Sequence, residues 1–239
     1  MALSPEQEWT LVACGLVAHA DEVVDGSEWE HVLFLLDERL EGGESEPWVK
    51  LLSDRERLRQ HVASLQPPPP LFSEEILEKA WRVALSDGNG STSEAAVHDE
   101  VATLLGIDAT QAAEIREHAA ERAAKRAELV AGFAAVLIGL DHSVAPGEAA
   151  QFDLLLQRLP LTDARREAHR RSLGESPDVE VVLGGLVALD REDRRIVVLE
   201  LVPLVHQAAS TERERELFFE LAERLGVMRS DAEQLLARW

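Results

Sequence analysis

The chain has 239 residues, length for two helical domains of about 120, and 45 Asp and Glu against 24 Lys and Arg give it a net charge of −21. Such a field repels phosphate backbones and anionic membrane surfaces, so nucleic acid and membrane are excluded as direct partners, while metal cations and basic protein patches are favoured. Hydrophobic residues make up 46 %, which excludes disorder from low hydrophobicity, and the lone Cys14 excludes both an internal disulfide and a thiolate zinc cage.

In chain order the apolar residues recur at helical spacing. The run 11–18 encloses Cys14 and predicts a buried, inert thiol. Trp29, Val32, Leu33, Leu36 and Leu40 form one amphipathic stripe, and four consecutive prolines at 67–70 mark a stiff, extended connection between helices. Val97, Val101, Leu104 and Leu105 form the next stripe. Residues 111–129 are mostly Ala, Glu and Arg, without Gly or Pro, which predicts a long helix coupling the two halves rigidly. The apolar stretch 129–140 is too short to cross a bilayer and reads as a buried helix. Arg165, Arg166, His169, Arg170 and Arg171 read as a solvated helix face, and 179–189 as a helix followed by a charged turn at 190–195. Phe218, Leu221, Ala222 and Leu225 close the series. Trp9, Trp48 and Trp81 are read as core anchors, and Trp239 as a packed end or a protein contact. No signal peptide or transmembrane run is present, so a cytoplasmic setting is expected.

An acidic pair, Asp followed seven residues later by Glu, recurs as Asp21/Glu28, Asp87/Glu94 and Asp141/Glu148 and returns altered as Gln207/Glu214. A shift of 120 lays the first half on the second, matching Asp21 to Asp141, Glu94 to Glu214 and Leu105-Gly106 to Leu225-Gly226. The expected architecture is therefore all-α, a tandem duplication with domains at 1–120 and 121–239. The first copy carries 24 acidic residues against 8 basic ones, net −16, and the second 21 against 16, net −5.

Each pair brackets a turn between helices, the second helix starting near Asp25, Ser91, Ala145 or Thr211. Ser91-x-x-Glu94 and Thr211-x-x-Glu214 fit a capping box, which accounts for the Glu without a metal, and Pro146 suits a first helical position. The Asp is different. At the negative end of a helix it is unfavourable and calls for compensation. A hard cation held by the Asp, a turn carbonyl and the Glu would supply it, since the spacing matches the second half of a calcium loop, although positions 83 and 85 lack the earlier acidic ligands. Two turns of one copy facing each other would pool four carboxylates. Pure capping and cation binding both remain open on spacing alone.

The segments 19–28 (HADEVVDGSE) and 86–94 (SDGNGSTSE), the latter running on to Leu104-Leu105-Gly106-Ile107, resemble the tellurite-resistance TerB family pattern of Ala-Asp-Gly-x-Ile-x-x-x-Glu before a helix ending in Leu-Gly. The resemblance implies two tandem helical bundles that bind a divalent cation, calcium or magnesium, and a non-enzymatic role with protein partners in stress, tellurite or phage-defence systems. It carries over as metal ligands Asp21, Glu28, Asp87, Glu94, Asp141 and Glu148. The chain departs from the pattern where Gly after Asp becomes Glu22, His142 and Ala208, and where Gln207 replaces the fourth Asp, so the second copy is expected to keep the fold and lose the site.

Two rival readings accompany this one. His98-Asp99, with His61 before it, has the residue types of a metal phosphohydrolase dyad, whereas a solvent-facing pair is the plainer expectation. A metal-free module presenting the acidic first copy to a basic protein is the other. His19, His31, His118 and His206 lack a partner His at i+4 and are expected at the surface or core edge.

Overall fold

The computed structural model describes all residues except 1–2, 22–25, 38–44, 89, 142–143, 176–177, 209–210 and 238–239. Regular structure among the described residues is entirely helical, and the chain divides into two compact units, Met1–Ala123 and Ala124–Trp239.

Unit 1 is organised around α1 (Pro5–Ala18). Every residue from Trp9 to Ala18 is buried, because a helix that is apolar all round can only be satisfied when neighbours cover it on every side. Its neighbours are α2 (Gly26–Asp37), α4 (Arg55–Val62), α5 (Ser73–Ala84) and α6 (Thr92–Leu104), with α5 packed most extensively. The short α3 (Ser45–Leu52) leads into α4, whose N-terminus Asp54 caps by accepting the Arg57 N–H at 3.1 Å. Trp9 and Trp81 are buried as expected, Trp48 is half-buried against the same core, and Cys14 is a buried free thiol. The proline run leads into a 3-10 turn, Pro70–Phe72, directly before α5, and the Trp9 indole N–H donates to Gln66 O just ahead of it. Within the second stripe Val97, Val101 and Leu105 are buried, but Leu104 is 50 % exposed, so the stripe is one residue narrower than its spacing suggested. Leu40 lies outside the described residues.

The predicted long helix is α7 (Ala109–Ile138). It absorbs most of the apolar stretch expected as a separate segment, because burying Val130, Phe133, Ala134 and Leu137 outweighs the cost of about 1 kcal/mol for Gly132 in a helix interior. Ala112, Ala119 and Ala123 serve the core of unit 1, and residues from Ala127 onward serve that of unit 2.

Unit 2 continues with α8 (Pro146–Arg158), α9 (Asp163–Ser172), α10 (Val179–Val187), α11 (Arg191–Ala208), α12 (Glu212–Arg224) and α13 (Arg229–Ala237). Its core gathers Phe133, Phe152, Leu156, Leu201 and Phe218. The charged run 190–195 is a helix start, a correction to the expected turn: Asp190 Oδ1 accepts the Asp193 N–H at 2.8 Å, and Arg191 opens α11. The basic residues of α9 are carried on a helix with no buried residue, yet they are not simply solvated. Arg165 and His169 both reach Glu128, and Arg170 reaches Asp153 at 2.8 Å. Deeper in, Arg126 is 3 % exposed and its guanidinium donates to Asp193 at 2.8 Å and to Glu200 at 3.3 Å.

The helix ends at Leu105-Gly106 and Leu225-Gly226, 120 residues apart, have the same geometry. Gly106 and Gly226 take φ of 75° and 84°. The N–H groups of Ile107 and Val227 reach back to Ala102 and Ala222 carbonyls at 2.9 Å, a Schellman closure that glycine adopts without steric cost.

Candidate functional site at the interhelical turns

In the first turn α1 ends at Ala18 and Asp21 stands exposed three residues on. Its Oδ1 accepts a hydrogen bond from Ser93 Oγ, and Ser91 Oγ lies 3.5 Å from the same atom. Ser91 is the N-cap of α6, in the second turn. The first turn's acid therefore rests on the helix start of the second.

The second turn closes α5 with a 3-10 segment, Leu85–Asp87, and Gly88 follows with φ 100°, its N–H donating to Leu85 O. This left-handed step suits glycine. Ser91 then begins α6 through a full capping box: Ser91 Oγ accepts the Glu94 N–H at 3.1 Å, and Glu94 Oε2 accepts the Ser91 N–H at 2.5 Å. Glu94 is 2 % exposed. Asp21 and Glu94, from different turns, thus engage one residue, Asp21 at its hydroxyl and Glu94 at its amide.

The third turn repeats the pattern with a 3-10 segment, Gly139–Asp141, then Ala145 and Pro146 at the start of α8. Glu148 is buried and accepts the Ala145 N–H at 2.7 Å. In the fourth, Gln207 lies within α11, and Glu214 is buried and accepts the Thr211 N–H at 2.8 Å while its own N–H donates to Thr211 Oγ1. Glu214 holds this geometry in a turn that has no Asp, so burial and capping of the Glu do not in themselves depend on an acidic partner. The side chains of Glu28, Asp87 and Asp141 lie outside what is described. Among the described residues no three His, Cys, Asp or Glu side chains converge as a metal cluster.

His98 corrects the expectation of a solvent-facing His-Asp pair. It is fully buried, with Nε2–H donating to Leu77 O at 3.1 Å and Nδ1 accepting from the Arg116 guanidinium at 3.0 Å. The Trp81 ring meets it edge-on at 5.2 Å. Burial, and then the Arg116 charge, lower its pKa to about 4. The imidazole is a neutral spacer, and neither ring nitrogen is left for a metal in this arrangement. Asp99 pairs instead with Arg116 at 2.5 Å. Of the other histidines, His31 is buried, His19 contacts Leu52 O at 2.7 Å, His61 pairs with Glu8 at 2.9 Å, and His118 and His206 are exposed.

Sequence reasoning missed Ser93 as a partner of Asp21 and the seating of Gly90, in the second turn, directly against the Trp81 indole. The Ser-Thr-Ser run after Gly90 was the available signal for the first. No pattern signals the second, since it is a packing contact between residues nine apart across a reversal of the chain.

These features define a protein helical throughout its described residues, in which Glu94, Glu148 and Glu214 cap the helices that follow their turns and Asp21 rests on the helix start of the second turn. Residues 7–117 match the family model described as tellurite resistance protein TerB, and the chain carries a TerB-like domain over that span. No curated protein and no solved structure matches the chain.

Proposed function

We propose that this is a non-enzymatic TerB-like binding protein of a bacterial stress-response or defence system, working in the cytoplasm, whose unit 1 takes a divalent cation, calcium or magnesium. Unit 2 is on this reading a second, partly degenerate TerB-like copy. The observation that carries the cation reading is the meeting of Asp21 and Glu94 on Ser91, which sets the two acidic turns of unit 1 side by side.

The donor chemistry fits such an ion. Asp21, Ser93 and the turn offer hard oxygen atoms only, and Asp21 is exposed to an arriving cation. Asp21, Asp87, Glu28 and Glu94 would hold it in unit 1, and Asp141 with Glu148 are the corresponding residues of unit 2. Bound there, the ion neutralises carboxylates that otherwise repel each other in a strongly acidic unit. The duplication is supported by the capping boxes of Glu94 and Glu214 and the closures at Gly106 and Gly226, each pair offset by 120 residues. The phosphohydrolase reading is disfavoured by the doubly bonded ring of buried His98.

Calorimetric titration with calcium and with magnesium tests the reading. A cation at tenfold its dissociation constant should stabilise the protein by about 1.4 kcal/mol, raising Tm by a few degrees, and Asp21→Asn should abolish the rise. Melting that is indifferent to millimolar cation in the wild-type protein rejects it.

A further inference from the structure

A groove of about 640 Å³ opens in unit 1 beside α5 and α7 and contains none of the motif carboxylates. Its walls are acidic, with Glu74, Glu75 and Glu78 from α5 and Glu121 from α7, and its apolar surface comes from Leu71 and Ile115. Arg122 also lines it, and His118 is exposed there. Leu71 is 85 % exposed. That exposure is built in. Prolines precede it, Phe72 beside it packs on the core, and the Ser73 hydroxyl is tied to Leu105 O at 3.2 Å, so the leucine cannot fold inward without dismantling the start of α5.

The charge of the groove is only partly met from within. Arg122 and Arg82 pair with Glu78, and Lys79 with Glu75. Glu74 has the neutral Gln111 amide at 2.6 Å, and Glu121 has no hydrogen-bond or ion-pair partner among the described residues. An occupant must therefore bring positive charge together with an aliphatic group. Anionic ligands are repelled. A second copy of this chain is a poor source: its concentrated basic stretch, α9, already spends Arg165, Arg166 and Arg170 on acceptors within unit 2 and carries no apolar side chain larger than the methyl of Ala168 among 165–171.

We propose that this groove docks a Lys- and Arg-rich segment of another protein, which sets an aliphatic side chain against Leu71 and Ile115 and its cations against Glu74 and Glu121. The mode is that of an amphipathic segment laid between helices, apolar contact supplying affinity and the acidic rim supplying steering and orientation.

Fluorescence anisotropy of the full-length protein with a labelled amphipathic peptide of lysine and leucine tests this, in EDTA so that the outcome is independent of any cation. Binding should weaken about fivefold for Leu71→Ala, from lost apolar burial, and about tenfold for Glu121→Lys, from charge reversal at the rim. Glu46→Lys, an equal charge change at an exposed position of unit 1 outside the groove lining, should change it less than about twofold. A lysine-alanine peptide should bind more weakly than the lysine-leucine one. No binding, binding that Leu71→Ala and Glu121→Lys leave unchanged, or an equal loss for Glu46→Lys each overturns the proposal.

Discussion

Gly90 lies against the indole of Trp81 so closely that a Cβ at position 90 would stand 2.4 Å from Cζ2 and 2.6 Å from Cη2. The ring is buried and bounded by His98 and the Arg116 guanidinium, so it has little room to withdraw. Gly90→Ala should therefore destabilise the protein by about 1–3 kcal/mol through overpacking. Gly147→Ala is the control: its Cβ meets nothing within 4 Å, in the first turn of α8, and the substitution should be neutral or stabilising by up to about 1 kcal/mol. Equal melting temperatures for Gly90→Ala and the wild type would show that the second turn is not seated on the indole.

Acid sensitivity follows from His98. Its pKa is lowered to about 4 in the fold from the ordinary 6.5, so above pH 6.5 neither folded nor unfolded protein carries the proton and the stabilising contribution is complete. As pH falls below 6.5 the unfolded chain takes up a proton that the folded one refuses. Stability should drop by about 2 kcal/mol between pH 6.5 and 5. Denaturant melts across that window should show a shallower decline in His98→Gln, and parallel curves would contradict the assignment.

Arg126 stands in the core of unit 2 with Asp193 and Glu200. Arg126→Met leaves the buried Asp193 and the half-buried Glu200 without their cation and should cost about 3–5 kcal/mol. Burial holds the Glu200 carboxyl above the usual range, against the opposing pull of Arg126. A raised carboxyl favours the fold when protonated, and that contribution fades as pH rises through the folded value. Glu200→Gln should accordingly raise Tm at neutral pH, with the gain shrinking toward pH 4.5; a gain that grows on acidification would reverse the sign.

The capping glutamates separate structure from ligation. Glu214→Ala should cost about 0.5–2 kcal/mol, as for loss of a helix cap, whether or not calcium is present. On the cation reading Glu94→Ala loses the cap and also the calcium-dependent rise in Tm. Calorimetry with calcium and with EDTA distinguishes them, and a retained rise in Glu94→Ala would assign that residue to capping alone.

Most of the helices were legible because helical periodicity is a local property: the stripe at 218–225 is buried residue for residue. Capping was legible for the same reason, since Ser91 and Glu94 are three apart. What escaped was tertiary. His98 reads like any polar residue on an acidic helix, and only the approach of Leu77 and Arg116 makes it internal. Arg126 did leave a trace, lying three residues after Ala123 and four before Val130 on the buried face of α7. Its partners Asp193 and Glu200 have the same seven-residue spacing as the turn motif, yet both sit within α11. That spacing acquires meaning only when a turn separates its ends, which is why the motif could nominate ligands without deciding between ligation and capping.

The placement of α7 bears on how the gene can be dissected. The TerB likeness stops at residue 117, but Ala119 and Ala123, two residues of the first core, come after it. A fragment trimmed to the likeness would forfeit the last lid of that core, and one trimmed at Ala123 would end in mid-helix. Excision of the amino-terminal half needs a helical extension past both points, or its failure to fold will be mistaken for a property of the domain.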